Sequence, residues 1–102
     1  MRADLEGLLT LDRLVHEPAR LVILTVLAEA EEVEFRFLEK VCGLTKGNLS
    51  GHIAKLEEAR YLVVKKFFRG KLPATSVKIT RSGRSALKTY RRQLHYALRR
   101  KP

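Results

Sequence analysis

Apolar positions recur every three or four residues through the first half of the chain and every second residue through part of the second half, so helices come first and strands later. Leu8, Leu9, Leu11, Leu14 and Val15 form a first strip at helical spacing, and His16–Glu17–Pro18 interrupts it, since proline suits the opening turn of a helix better than its interior. The pattern predicts a second helix from Ala19 to Ala30, apolar on most sides through Leu21, Val22, Leu24, Val26 and Leu27 and therefore central to the core. Val33 to Phe35 can make one short strand. A third helix follows from Arg36 to Cys42 with Leu38, Val41 and Cys42 turned inward, and Gly43 ends it where a left-handed residue is needed. Leu44 plugs the turn, and Thr45 caps a fourth helix running to Arg60 with Leu49, Ile53 and Leu56 as its buried stripe.

After Tyr61 the period becomes extended. Leu62 to Phe68 is rich in valine and phenylalanine, Arg69–Gly70–Lys71–Leu72–Pro73 is turn chemistry, and Thr75 to Thr80 alternates Val77 and Ile79 with Ser76 and Lys78. These features predict a β-hairpin with a basic tip. Thr80 or Ser82 caps a last helix to about Arg100, whose stripe of Leu87, Tyr90, Leu94 and Leu98 needs a partner surface.

With 102 residues, 45% of them hydrophobic, and no repeat, low-complexity tract or linker, the chain reads as a single domain over 1–102 with flanking helices at 1–17 and 81–100. The charged start Met1–Arg2–Ala3–Asp4–Leu5–Glu6 has no secretory character and no apolar run approaches a membrane span, so a cytoplasmic protein with no membrane partner is expected. Net charge is +10, but it is unevenly spread: residues 1–44 hold five Lys or Arg against nine Asp or Glu, whereas residues 45–102 hold sixteen against two. An acidic half joined to a strongly basic half implies one surface shaped for a polyanion, with nucleic acid first and an anionic membrane second.

Helix, short strand, helix, Gly-Leu turn, helix and basic hairpin come in the order of a winged helix-turn-helix. The run from Phe37 to Val63, with Cys42–Gly43–Leu44–Thr45–Lys46–Gly47–Asn48–Leu49–Ser50 at its centre, resembles the helix-turn-helix of ArsR-like and MarR-like bacterial and archaeal regulators. The segments Lys66–Thr75 and Thr80–Leu87 resemble the wing and the start of the closing helix, so the resemblance covers about residues 19 to 95. It implies a mainly α fold with a small β-hairpin, a three-helix core plus wing, to which the flanking apolar strips are expected to add N- and C-terminal dimerisation helices. The function implied is sequence-specific binding of double-stranded DNA in transcriptional regulation; the alternative is a winged-helix module for RNA or protein interaction.

On that basis the residues able to reach base edges lie near the start of the fourth helix, on its polar side: Lys46, Gly47, Asn48, Ser50, Gly51 and Lys55, with Thr45 at the cap. Asn48 suits an adenine edge, and Lys46 a guanine or a phosphate. Gly47 and Gly51 depart from the usual pattern of longer polar residues. A close approach to DNA, recognition through DNA shape, and simple tolerance of glycine all remain open. In the wing, Arg69 and Lys71 flank Gly70 where a side chain can enter the minor groove, while Lys65, Lys66 and Lys78 lie within reach of phosphates. An edge hairpin charged only to block aggregation is the plainer account. His52 can contact a phosphate or pack between helices. His16 and His95 read as surface or boundary residues.

Some ArsR-like proteins sense metals with thiolates, but Cys42 has no second cysteine and no histidine at helical spacing, so it reads as a small core residue and no metal or cofactor is expected. Glu29, Glu31, Glu32 and Glu34 read as a solvated acidic edge. No phosphate-cradling loop or nucleophile beside a base is present, which leaves no enzyme class in view. An effector cannot be named from the sequence. The first strip, Leu5 to Val15, and the last, Leu87 to Leu98, lie outside a minimal winged-helix core and are expected to form a two-fold interface.

Overall fold

Glu17, not Ala19, opens the first long helix. In the computed structural model, which describes residues 3–99, its carboxylate accepts the Arg20 backbone N–H at 2.8 Å and Pro18 takes the first helical position, where its missing N–H costs nothing. Helix α2 (Pro18–Ala30) follows a short α1 (Ala3–Leu9), and strand β1 (Glu32–Glu34), helix α3 (Phe35–Cys42) and helix α4 (Lys46–Glu58) come next. Strands β2 (Leu62–Arg69) and β3 (Leu72–Ile79) and helix α5 (Arg81–Arg99) complete the described chain; Arg100, the predicted end of the last helix, lies outside the described residues, as do Met1–Arg2 and Lys101–Pro102.

The strip from Leu8 to Val15 is not one helix. Thr10 ends α1, and Asp12 Oδ1 then accepts the backbone N–H groups of Leu14 and Val15 at 2.9 and 3.3 Å, giving the chain a local alternative to helical hydrogen bonds. The other carboxylate oxygen of Asp12 accepts the Tyr61 hydroxyl. Burial, reinforced by that hydrogen bond and the negative charge of Asp12, pushes the Tyr61 phenol up to about 12. Val15 thereby enters the core fully buried, beside Ile23, Leu24 and Leu27 of α2, Leu38 of α3, and Leu49 and Leu56 of α4.

Three antiparallel strands in the order β1-β3-β2 close one side of this core. The Val33↔Val77, Val64↔Val77 and Leu62↔Ile79 pairs put apolar side chains on the inner face, as the period of two requires. Only Glu32–Glu34 reaches β3, so beyond Ser76 the wing is a two-stranded ribbon with a free edge, which tolerates Pro73. The predicted five-residue turn is shorter in the structure. Gly70 and Lys71 alone connect Arg69 to Leu72, with Gly70 at φ 64° in the first central position, the pattern of a type II′ turn.

At the other end of the sheet, Thr80 is the cap that starts α5. Its hydroxyl accepts the Gly83 N–H at 3.0 Å and donates to the Arg60 carbonyl at 2.6 Å, and its own N–H reaches the Tyr61 carbonyl at 3.0 Å. Arg60 itself is left-handed at φ 66°, so that Tyr61 N–H returns to the Leu56 carbonyl at 2.9 Å and ends α4 as a glycine would have done.

The α5 stripe finds its partner within the chain. Leu87 and Tyr90 belong to the core, Leu94 packs against it, and α1 lies along α5 with Gln93 donating to the Thr10 hydroxyl at 3.4 Å. Part of both strips is thus covered within the chain, by the core and by each other. Leu9, Tyr96 and Leu98 remain 72, 60 and 74% exposed. The radius of gyration, 15.5 Å, exceeds the roughly 13 Å of a compact 100-residue domain.

Candidate nucleic-acid interface

Gly43 adopts φ 64°, and its N–H bonds to the Glu39 carbonyl at 2.9 Å, which ends α3 and turns the chain toward α4. Thr45 then caps α4 by accepting the Asn48 N–H at 3.2 Å, so its hydroxyl already has a structural task. Leu49, Ile53 and Leu56 bury the inner side of α4, whereas Lys46, Gly47, Asn48, Ser50, Gly51, Ala54 and Lys55 are exposed on the rest of it. Lys46 is the first residue of α4, so its charge stands at the positive dipole end of the helix, a combination that favours anions.

A methyl group built on Gly47 or Gly51 meets nothing within 4 Å, and neither residue has a positive φ. Nothing in this chain's own packing or backbone requires glycine there. The double substitution Gly47→Ala/Gly51→Ala is therefore expected to stabilise the fold by about 0.5–1 kcal/mol per site, raising Tm by roughly 4–8 °C per kcal/mol in a domain of this size. Calorimetry showing a fall in Tm would contradict this account of α4.

His52 points inward. Arginine can only donate, so the 3.0 Å contact from Arg20 Nη1 makes His52 Nδ1 an acceptor and places the hydrogen of a neutral ring on Nε2, 3.8 Å from a Glu17 carboxylate oxygen. Arg20 also donates through Nε to the Leu14 carbonyl at 2.7 Å and is only 9% exposed. Partial burial pushes the Glu17 carboxyl up, but the hydrogen bond from the Arg20 backbone N–H and the charge of Arg20 help to outweigh it, and the group is held below the usual carboxylate range. The sequence signal for this network is Arg20 at the start of a largely apolar stretch of helix, Leu21–Leu24, because a charge there must find partners.

Pleat alternation separates the wing lysines. Lys66 shares a face with Val64 and Phe68, whereas Lys65 shares the opposite face with Phe67 and Arg69, and Lys71 stands in the turn. Lys78 is exposed opposite Val63 and Glu32. Arg69 does not project from the tip: its guanidinium lies 2.8 Å from Glu34 Oε2 and 5.8 Å from the centre of the Phe67 ring. The hydrogen bond from Arg69, aided by its charge, holds the Glu34 carboxyl below its ordinary range. Glu32 accepts the Ser76 hydroxyl at 2.8 Å, so two of the four acids expected on a solvated edge are partnered on the sheet. Between the start of α4 and the free edge of the wing lies a cleft of about 290 Å³, lined by Lys46, Arg36, Arg69, Leu72, Pro73 and Thr75 among others. Cys42 is half-buried, and burial raises its thiol pKa, which disfavours the thiolate. Among the described residues no helix is long and apolar enough to cross a membrane.

A helix-turn-helix whose second helix leaves its polar side open, followed by a basic two-stranded ribbon beside it, defines a winged helix. The chain belongs to the winged helix DNA-binding domain family, which matches residues 19–98. It is 38% identical over 79 residues to an uncharacterized protein of Methanocaldococcus jannaschii, a match covering 76% of this chain and 85% of that protein. It is also similar to a solved structure described as a transcriptional regulator homologue from Pyrococcus horikoshii OT3. That match has a TM-score of 0.86 and 28% identity, and it covers 95% of each chain.

Proposed function

We propose that the protein is a transcriptional regulator that binds specific double-stranded DNA sites as a homodimer, in the manner of ArsR-like and MarR-like proteins. Helix α4 lies in the major groove and the wing on the adjacent minor groove or backbone. The observation that carries this reading is the exposed side of α4, where Lys46, Asn48, Ser50 and Lys55 stand clear of the rest of the chain beside the wing. The Pyrococcus protein's description as a regulator homologue supports the same role. Asn48 is the residue assigned to base recognition, and Lys46, Lys55, Lys65, Lys66 and Lys71 are assigned to phosphates. Gly47 and Gly51 let the helix backbone approach the groove. His52 acts indirectly here, by fixing α4 against α2 through Arg20. Such a protein works with the chromosome in the cytoplasm.

The two-fold contact is assigned to the apolar surface that intramolecular packing leaves over on α1 and the end of α5, chiefly Leu9, Tyr96 and Leu98. A dimer sets its two recognition helices about 34–36 Å apart, one turn of DNA.

Selection of bound fragments from random duplex DNA tests the assignment. Wild-type protein is expected to enrich a two-fold symmetric motif, Asn48→Ala to change that motif, and Lys71→Ala to weaken all sequences alike. The Gly47→Ala/Gly51→Ala variant is expected to lose about tenfold or more in affinity, equivalent to about 1.4 kcal/mol, while gaining stability. No enriched motif, a monomer by light scattering at micromolar concentration, or tight single-strand binding with indifference to duplex would each overturn the corresponding part.

A further inference from the structure

The end of the wing is apolar. Phe68 is 73% exposed and Leu72 71%, among the most exposed large hydrophobic side chains of the described residues, and Pro73 beside them is exposed too. The register places Phe68 and Pro73 opposite each other on one face of the ribbon and Leu72 on the other face, all next to the two-residue turn. A hairpin built only to resist association would carry its charge there. This one withdraws its arginine: Arg69 is turned back to Glu34 on β1 at 2.8 Å, leaving Lys71 as the cation in the turn itself.

We propose that the wing tip is an apolar wedge that enters the minor groove of duplex DNA and partly unstacks a base step there, with Lys71 on a flanking phosphate. The proposal rests on the DNA-binding reading above and adds a deformation of the DNA to it. Phenylalanine, leucine and proline are the side chains suited to pry base steps apart, and the unstacking is repaid by the additional protein surface that bent DNA covers. Charge and position both favour duplex DNA as the occupant. Among the described residues no carboxylate pairs with Lys65, Lys66 or Lys71 around the tip. Leu72 and Pro73 line the same cleft as Lys46 at the start of α4, so the tip and the recognition helix border one continuous surface. Pyrimidine–purine steps, the easiest to unstack, are the expected targets.

Ligase-mediated closure of a linear fragment of about 100 bp, shorter than the persistence length of about 150 bp, tests the wedge without knowledge of the natural site. Full-length wild-type protein is expected to raise the yield of circles several-fold. The Phe68→Ala/Leu72→Ala variant is expected to lose that gain while keeping the wild-type Tm, since both side chains are exposed, and the wild-type salt dependence of duplex binding. Lys71→Ala should bind more weakly yet still close circles at saturation. Wild-type protein that binds duplex DNA without promoting closure, or a double variant that promotes it equally, overturns the wedge and leaves the DNA-binding reading intact. Wild-type protein that binds no duplex at all overturns that reading itself. Co-sedimentation with anionic phosphatidylserine vesicles that depends on Phe68 and Leu72, together with unchanged circle closure, would assign the tip to membranes instead.

Discussion

Gly83→Ala is expected to bring the protein close to unfolding at moderate temperature. Gly83 is buried in the first turn of α5, directly over the backbone of Tyr61. A methyl group there would overlap the Tyr61 carbonyl oxygen and stand 2.9 Å from the carbonyl carbon and 3.0 Å from Ile79 Cγ1. Backbone cannot rotate away as a flexible side chain can, and this carbonyl is also held by the Thr80 N–H at 3.0 Å. Relief would require the first turn of α5 to lift from Tyr61 and Ile79 and pull Leu87 and Tyr90 with it. Overpacking of this kind costs about 3 kcal/mol or more, which lowers Tm by roughly 12–24 °C at 4–8 °C per kcal/mol. Thermal unfolding followed by circular dichroism measures it, with Ser82→Ala, an exposed neighbour, as the control. An unchanged Tm would show that α5 does not rest on Tyr61 as described.

Duplex affinity is expected to fall by about 10³–10⁵ between 50 and 200 mM salt, the loss that accompanies neutralising roughly 6–10 phosphates. This slope is expected to come from the exposed, unmatched cations. Lys46, Lys55, Lys65, Lys66 and Lys71 are exposed, whereas the Arg69 guanidinium is already matched by Glu34 at 2.8 Å. Lys71→Ala should reduce the slope of log K against log salt by about 0.9 per copy, and Arg69→Ala should change it little. Glu34→Gln, which removes the charge that holds Arg69, should make the slope steeper. Fluorescence anisotropy with one labelled duplex across a salt series reads all four proteins. A flat response from the wild type would count against polyanion binding altogether, and equal effects of the lysine and arginine substitutions would show that Arg69 leaves Glu34 on binding.

The turn between α3 and α4 is legible in the sequence because its signals are local: Gly43 supplies the left-handed residue, Thr45 the cap, and Leu49, Ile53 and Leu56 the spacing. The wing is legible for the same reason, through the change of period after Tyr61 and the glycine at 70. What escapes local reading depends on partners tens of positions away. Asp12 breaks an apolar strip that otherwise scans as helix, because it is held by Tyr61. Glu34 resembles any surface acid until β1 pairs with β3 and brings Arg69 to it. Arg20 reaches His52 across the gap between two helices. Gly83 sits in an ordinary helical position, and only the proximity of another segment's carbonyl gives it a reason. The leftover apolar surface on α1 and α5 is likewise a matter of what the chain covers with itself, which spacing alone does not settle.

Tyr61 gathers several of these attachments into one joint. Its phenol holds the connection after α1, its carbonyl holds the first turn of α5, and its N–H completes the end of α4. The arms that would meet a second copy and the element that would read DNA are thus tied to one another through a single residue. In a paired molecule the distance between the two reading heads would be dictated by how the arms cross. Sites whose halves are moved apart by a few base pairs would then be rejected outright, where a jointed protein would stretch to reach them.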